Sequence, residues 1–457
     1  MIRDLTTGKP NSVLLKFSLP MFVSVMFQQF YNMADSMVAG KFAGEDALAA
    51  VGASYPITMI FMAVAVGSNI GCSVVISQFF GAREYKKVRT SVYTTLIFST
   101  IISLVLTFLG IFFSTNLMHM IKTPENIFGD AQLYLRIYIA GFIFLFIYNV
   151  CTGIFQSLGD SKTPLWFLIG SSIGNVILDV LFVAGFHWGV AGVAWATFIA
   201  QTIACILAFV TVLRRVHEIP VEGKVEIMSW HMVGEVSKVA IPSILQQSFV
   251  SIGNIFIQSI INSFGSSVIA GYSAAIKLNT FSITSLTTLA NGVSGFTAQN
   301  IGANKPKRVK QGYRASLVMG ACVAACFTLL FVVFPEFFIK LFMEEGGAAL
   351  ETGVRFLRIV SPFYIVISIK LMADGVLRGA GAMNQFMIAT FTDLVLRVVL
   401  SFVLSPIFGT DGVWVSWPIG WAIAAVISVL LYLSGCWDKN KIKAKKDKKL
   451  KSKETAA

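Results

Sequence analysis

Residues 94–113, TTLIFSTIISLVLTFLGIFF, contain no charged side chain. As an α-helix, a run of this length crosses the roughly 30 Å hydrocarbon core of a bilayer. Residues 137–154 form a second uncharged run, and over the whole chain 56% of residues are hydrophobic whereas only 13% are charged. A soluble protein of this size would need more polar surface. The sequence therefore predicts an all-α membrane protein.

Similar apolar segments predict twelve transmembrane helices. They lie near residues 13–38, 50–78, 92–117, 131–157, 164–186, 189–213, 237–263, 268–300, 313–341, 352–377, 384–407 and 412–435. Basic residues concentrate in alternate connections, and the positive-inside rule places these on the cytoplasmic side. Both termini are then cytoplasmic, which requires an even number of spans. We expect a multi-pass protein of the plasma membrane, which is the inner membrane in a bacterium.

The segment after Trp437 is the most basic part of the chain, with nine lysines against three acidic residues. It is too polar to pack, and we interpret it as a disordered tail that lies on anionic lipid. No aromatic residues alternate with the lysines, so nucleic acid is not an expected partner. No P-loop motif is present, so the sequence predicts no ATP and no cofactor.

The two halves of the chain repeat each other. The motif of residues 77–82, SQFFGA, corresponds to AQNIGA at residues 298–303, and each is followed by a basic stretch. The offset of 221 residues between Gln78 and Gln299 recurs, within one residue, between Pro20 and Pro242. Agreement over such a distance indicates an internal duplication.

The duplication predicts two pseudo-symmetric six-helix lobes. We divide the chain into an N-terminal segment (1–12), an N-lobe (13–213), a linker (214–236), a C-lobe (237–435) and a tail (436–457). Six spans are an even number, so both lobes start on the same side and are related by an axis along the membrane normal. A cleft that opens alternately to each side is typical of transporters. A channel is the competing interpretation, but no filter-like carbonyl motif is present.

Ionisable side chains inside the predicted N-lobe spans are candidates for function, because each costs about 2.5–3.5 kcal/mol at the membrane centre. Asp35 and Asp179 each lie 15 residues beyond a proline at the cytoplasmic end of a span, about 22 Å up the helix. Asn175 is one turn before Asp179, Gln28 is two turns before Asp35, and Thr197 reaches the same height. Two carboxylates, an amide and a hydroxyl form a candidate site for H⁺ or Na⁺.

The C-lobe carries a different set of charges. They are Lys277 in span 8, Lys370, Asp374 and Arg378 in span 10, and Asp393 and Arg397 in span 11. Spacing of four residues favours local ion pairs for Asp374 and Asp393. Lys277 has no acid in its own helix, so it meets either Asp393 or an acidic or carbonyl group of the substrate.

Several motifs resemble the multidrug and toxic compound extrusion (MATE) family across about residues 10–435. They are QQFYNMAD at residues 28–35, AAVG at 49–52, QFFGA at 78–82 and GDSKTP at 159–164. The chain looks most similar to the DinF-like branch, because Asp35, Asn175, Asp179 and Thr197 match the type and spacing of that branch's N-lobe cation site.

The resemblance implies further N-lobe residues. Tyr134 and Tyr138 both fit a tyrosine associated with the cation site, and the alternative stays open. Thr152 stands where that branch has an asparagine, whereas Asn149 lies one turn away. The resemblance implies a polar pathway through the N-lobe, formed by Gln28, Asn149, Tyr134 and Tyr138.

The resemblance implies an antiporter in which H⁺ or Na⁺ enters while a small organic or drug-like molecule leaves, and we expect the protein to be a monomer. No enzymatic activity is expected, since a cluster of acid, histidine or cysteine residues at a membrane face is missing. A flippase for lipid-linked saccharides or lipids is the alternative function, because it would share a similar helical plan.

Overall fold

The computed structural model describes residues 3–38, 45–121, 123–342 and 347–438, with side chains for all of these except residues 33–38 and 45–48. These parts of the chain are helical and contain no strand. The first half comprises α1 (Pro10–Val38), α2 (Glu45–Gly81), α3 (Tyr85–Met120), α4 (Glu125–Ser157), α5 (Lys162–Asp179) and α6 (Gly189–His217). The second half comprises α7 (Trp230–Asn262), α8 (Ser266–Gly302), α9 (Pro306–Val333), α10 (Pro335–Lys340), α11 (Ala348–Val360), α12 (Tyr364–Gly379), α13 (Met383–Phe408) and α14 (Thr410–Ser434).

Each predicted span corresponds to one helix, or to one helical segment that is broken or extended by a short irregular turn. Within the described residues, 11 helical segments are long and apolar enough to cross a membrane. The predicted span at 268–300 is α8, which carries many serine and threonine side chains and is not among these 11 segments. The predicted span at 352–377 is broken by a 3₁₀ turn at Ser361–Phe363, where Pro362 has no backbone donor to continue the helix.

The helices form two compact units. One comprises Met1–Asp4 and Pro20–Ser251, and the other comprises Leu5–Leu19 and Ile252–Ala457. These units follow the two sequence halves except at their edges. The first part of α1, up to Leu19, belongs to the second unit, and the first part of α7 belongs to the first unit.

Close glycine contacts explain this exchange of helix ends. In the first unit Gly71 of α2 faces α7 so closely that an added Cβ would lie 2.5 Å from Cβ of Ala240. In the second unit Gly292 of α8 packs directly on Ser18 of α1. Gly71 and Gly292 occupy equivalent positions in the repeat. Ser18 and Ala240 are also equivalent, to within one residue. The duplication therefore produces the same helix contact twice, with glycines that let backbones approach in the membrane.

Each unit has a packed aromatic and aliphatic core. In the first unit Phe142 and Phe146 of α4 are buried against α2, and Phe61 meets Phe142 edge to face at 4.9 Å. In the second unit Trp414 of α14 is fully buried and stacks on Tyr272 of α8 at 5.4 Å. Such packing holds the polar side chains of each unit in defined positions.

Candidate functional site

The end of α5 carries the most deeply buried acidic side chain among those that the structure describes in the first unit. Asp179 is 1% exposed and Asn175, one turn earlier on the same face, is 2% exposed. Directly after Asp179 the helix widens into a π-helical segment, Val180–Gly185. Such segments occur often at functional sites, because they redirect side chains within a helix.

Helix α1 reaches this site through Tyr31, whose hydroxyl group donates a hydrogen bond to Oδ1 of Asn175. The amide nitrogen of Asn175 has no hydrogen-bond acceptor among the described residues. The sequence interpretation did not single out Tyr31, although it lies four residues before Asp35. That spacing places Tyr31 and Asp35 on one face of α1, so it could have identified Tyr31 as a candidate site residue.

The side chain of Asp35 lies outside the described residues. The structure shows that position 35 is helical. Its predicted pairing with Asp179 therefore stays a prediction. The contact between Tyr31 and Asn175 brings the last turns of α1 beside α5, which is what the prediction requires.

A small cavity of about 20 Å³, the size of about one water molecule, lies between α4 and α6 in the same unit. Tyr134, Tyr138, Thr197 and Gln201 supply polar groups to its wall. The rings of Tyr134 and Tyr138 stack with centroids 6.3 Å apart, so the structure does not choose between the two predicted tyrosines. Gln201 was not predicted, although it follows Thr197 by one helical turn.

The structure separates the remaining predicted N-lobe residues from this cavity. Gln28 is exposed on α1. Asn149 donates to the carbonyl oxygen of Leu145 at 2.9 Å, and Thr152 donates to that of Tyr148 at 3.0 Å. The side chains of Asn149 and Thr152 thus satisfy carbonyls of their own helix, and neither lines the cavity.

In the second unit, the i,i+4 spacing in α12 produces the expected ion pair. Nζ of Lys370 lies 2.8 Å from Oδ2 of Asp374, and both side chains are almost fully buried. Oγ of Ser428 donates to the other carboxylate oxygen of Asp374 at 2.6 Å. Arg378 turns away to Oδ1 of Asn291 at 2.5 Å.

The expected pair between Asp393 and Arg397 is not a direct contact among the described residues, although the two groups interact electrostatically. The Arg397 guanidinium lies over the ring of Trp417 at 4.4 Å, because an aromatic face can stabilise a cation without a carboxylate. Asp393 Oδ1 has no hydrogen-bond partner among the described residues and faces Gly420, where an added Cβ would lie 3.0 Å away. Asp393 instead interacts electrostatically with Lys370 and Arg397 at longer range.

Lys277 does not join this buried cluster. Its side chain is exposed, and its ammonium group lies 5.6 Å from the ring centre of Phe342. One predicted alternative was a contact with Asp393, and the described residues show no such contact. The prediction that Lys277 meets an acidic or carbonyl group of the substrate stays a prediction.

Known proteins match the chain over nearly its whole length. A family model described as MatE matches residues 20–181 and 242–403, which are corresponding stretches of the two halves. The probable multidrug resistance protein YpnP of Bacillus subtilis is 29% identical over 442 residues, which cover 96% of this chain and 98% of YpnP. The probable multidrug resistance protein NorM of Thermotoga maritima is 24% identical and covers 94% of this chain and 93% of its own.

Solved structures share the fold. A MATE protein in complex with MaL6 superimposes with a TM-score of 0.89 at 23% identity, covering 95% of this chain and 98% of that protein. A MOP superfamily transporter from Pyrococcus furiosus superimposes with a TM-score of 0.88 at 22% identity, covering 95% and 97%. The twelve predicted spans and their two-lobe plan therefore agree with known transporter structures.

Proposed function

The chain belongs to the MATE family of multidrug efflux transporters, and on that premise we propose that it is a cation-coupled antiporter that exports small organic molecules by alternating access. It is a multi-pass membrane protein with small-molecule substrates. The coupling ion and the class of substrate are the parts that we propose. Placement in the DinF-like branch is part of the same proposal.

The observation that carries the proposal is the burial of Asp179 beside Asn175 in a membrane-spanning helix. Placing a carboxylate there opposes folding unless the group has a use or a compensating partner. The hydroxyl of Tyr31 and the amide of Asn175 add polar atoms at the same place. Carboxylate, amide and hydroxyl oxygens suit a hard cation, and a carboxylate also accepts a proton.

The proposed mechanism uses the contact between α1 and α5. Loading H⁺ or Na⁺ at Asp179 and Asp35 changes the charge beside Tyr31 and Asn175, so the two helices interact differently in the loaded and empty states. A ligand shifts a conformational equilibrium only through such a difference. Pro20 interrupts the hydrogen-bonding pattern of α1 below this contact and is the proposed bending point.

Substrate and ion would bind in turn. The relatives YpnP and NorM are named probable multidrug resistance proteins, which favours small organic molecules over lipid-linked saccharides as the cargo. Tyr134, Tyr138 and Phe198 give the small cavity between α4 and α6 aromatic walls, and we propose that it widens during the transport cycle to accept apolar groups of the cargo. Thr197 and Gln201 would add hydrogen bonds that orient a ligand.

The proposed orientation has both termini in the cytoplasm of a bacterial plasma membrane, with the protein acting as a monomer. Its support is the alternation of basic and weakly charged connections along the sequence. Reporter fusions after Ser434 and after His217 should both report a cytoplasmic location.

Dye efflux into inverted membrane vesicles tests the proposed function. One set of vesicles receives a proton gradient alone and a second set receives a sodium gradient alone. Accumulation driven by one of the two gradients, and abolished by the ionophore that dissipates it, is the expected result. Accumulation that is equal with and without both gradients would overturn cation coupling.

A further inference from the structure

The segment before α1 lies in a side-chain cage at the turn between α8 and α9. Leu5 and Thr6 are almost fully buried, although they belong to a short segment without a helix of its own. The backbone amide of Leu5 donates to Oε1 of Gln299 at 2.9 Å. Nδ2 of Asn300 donates to the carbonyl oxygen of Leu5 at 3.3 Å. Gln299 and Asn300 are themselves fully buried.

Two basic side chains complete the cage. Arg308 donates to the carbonyl oxygens of Leu5, Thr7 and Gly8 at 3.2, 3.1 and 2.6 Å. Its Nε donates to Oδ1 of Asn300 at 3.0 Å, which orients that amide. Lys305 donates to the carbonyl oxygen of Thr6 at 2.9 Å. Four consecutive backbone carbonyls, from Leu5 to Gly8, therefore accept hydrogen bonds from side chains.

These contacts give Lys305 and Arg308 a structural role in addition to the effect of their charge on membrane orientation. Lys305 and Arg308 belong to a basic connection that also contains Lys307 and Lys310. In the first half the residue equivalent to Arg308 is Lys87, which pairs with Glu84, the residue directly before its own helix, at 2.6 Å. The two halves share the turn, but the second half uses it to bind a peptide segment.

The same unit holds the first half of α1. Leu14, Phe17 and Ser18 are almost fully buried. Phe17 packs against Gly295, and Ser18 packs against Gly292. Pro20 follows at once, and it is the residue at which α1 passes into the other unit.

We propose that the cage of Gln299, Asn300, Lys305 and Arg308 is a binding site for the backbone of a turn, that residues 5–8 are its occupant, and that this anchor fixes the first half of α1 to α8 so that α1 moves only beyond Pro20. The binding site stands on its own contacts. Its consequence for the motion of α1 rests on the proposed function.

Hydrogen exchange of the purified full-length protein tests the anchor without any gradient or substrate. The amide of Leu5 should be protected in the wild type and should exchange about tenfold faster, or more, in Arg308→Gln, since three charge-assisted bonds to the segment are lost. Lys307→Gln and Lys310→Gln are matched controls, because they remove the same charge from neighbouring exposed residues. An unprotected Leu5 amide in the wild type, or equal exchange in Arg308→Gln and the controls, would overturn the binding site.

Efflux in the same variants tests the consequence for α1. Arg308→Gln should reduce gradient-driven efflux several-fold, whereas both lysine controls should retain it. Faster exchange together with wild-type efflux would overturn the role in α1 motion and leave the binding site standing. Absence of efflux in every protein, the wild type included, would contradict the proposed function and not the anchor. If Arg308→Gln does not fold, Lys305→Gln provides the same comparison at an exposed residue.

Discussion

The hydroxyl group of Tyr31 in α1 donates a hydrogen bond to Oδ1 of Asn175 in α5, one turn before the buried carboxylate of Asp179. This bond joins two helices that are far apart in the sequence. It also places a polar contact next to the acidic side chain that the proposed mechanism loads. Any ion bound at Asp179 would therefore be sensed by α1.

Tyr31→Phe should weaken the apparent affinity for the coupling ion by about 2–10-fold, which corresponds to the 0.5–1.5 kcal/mol of one hydrogen bond. The measurement is the dependence of efflux on proton or sodium concentration. Tyr55→Phe is the matched control, since Tyr55 is 60% exposed in the same unit. Equal effects of the two substitutions would contradict the role of Tyr31.

Asp179→Asn should reduce gradient-driven efflux at least about tenfold, because an amide cannot exchange a proton or balance a cation. Membrane expression and the thermal unfolding profile should stay close to those of the wild type. Asp130→Asn changes an exposed carboxylate of α4 in the same way and should leave efflux intact. Efflux at the wild-type level in Asp179→Asn would remove Asp179 from the coupling site.

Lys370 and Asp374 should depend on each other for stability. Lys370→Met alone should cost about 3–5 kcal/mol, because it leaves a buried carboxylate without its cation. The double variant Lys370→Met/Asp374→Asn should cost much less, since it removes both charges and keeps an acceptor for Ser428. Unfolding titrations in mixed detergent micelles measure the free energy of unfolding of each protein in this double-mutant cycle. Additive losses would show that the buried pair contributes no mutual stabilisation.

Gly153→Ala should destabilise the first unit by about 1–3 kcal/mol through overpacking. An added Cβ would lie 2.6 Å from the backbone oxygen of Asn69 and 2.7 Å from Sγ of Cys72. Gly170→Ala is the control, because nothing lies within 4 Å of an added Cβ there. A control that loses as much stability as Gly153→Ala would rule out the steric explanation.

Asp160→Ala should destabilise the protein by about 0.5–2 kcal/mol, as expected for loss of a helix cap. Asp160 accepts hydrogen bonds from the backbone amides of Lys162 and Thr163 at 3.1 and 3.0 Å, and from the Thr163 hydroxyl at 2.7 Å. Burial acts to raise the pKa of Asp160, but these and other interactions of its carboxylate outweigh burial and lower that pKa below its usual 3.8.

The sign of the pH dependence follows from this lowered pKa. A carboxyl group with a lower pKa in the folded state stabilises the protein fully above its unfolded-state pKa, and this contribution is lost as the pH falls through the folded-state pKa. The stability difference between wild type and Asp160→Ala should therefore be constant above about pH 5 and shrink below about pH 4. Unfolding midpoints measured from pH 3 to pH 7 provide the test, and a difference that grows in acid would contradict it.

Local properties of the sequence determined the helices and the duplication. Apolar runs such as residues 94–113 predict spans because a backbone in lipid must satisfy its own hydrogen bonds. The repeat between Gln78 and Gln299 predicts two similar halves, and the match of the MatE model to both halves agrees with it. The four-residue spacing of Asn175 and Asp179 also predicts that both lie on one face of their span.

Only the tertiary structure decided which side chains meet. Tyr31 bonds to Asn175, Arg397 lies over Trp417, and residues 5–8 occupy the cage at Gln299. Spacing along one helix shows which groups can pair, but it does not show what a neighbouring helix offers in competition. Contacts between segments about 300 residues apart, such as Leu5 and Gln299, leave no periodic signal in the chain, because they depend on how separate helices pack.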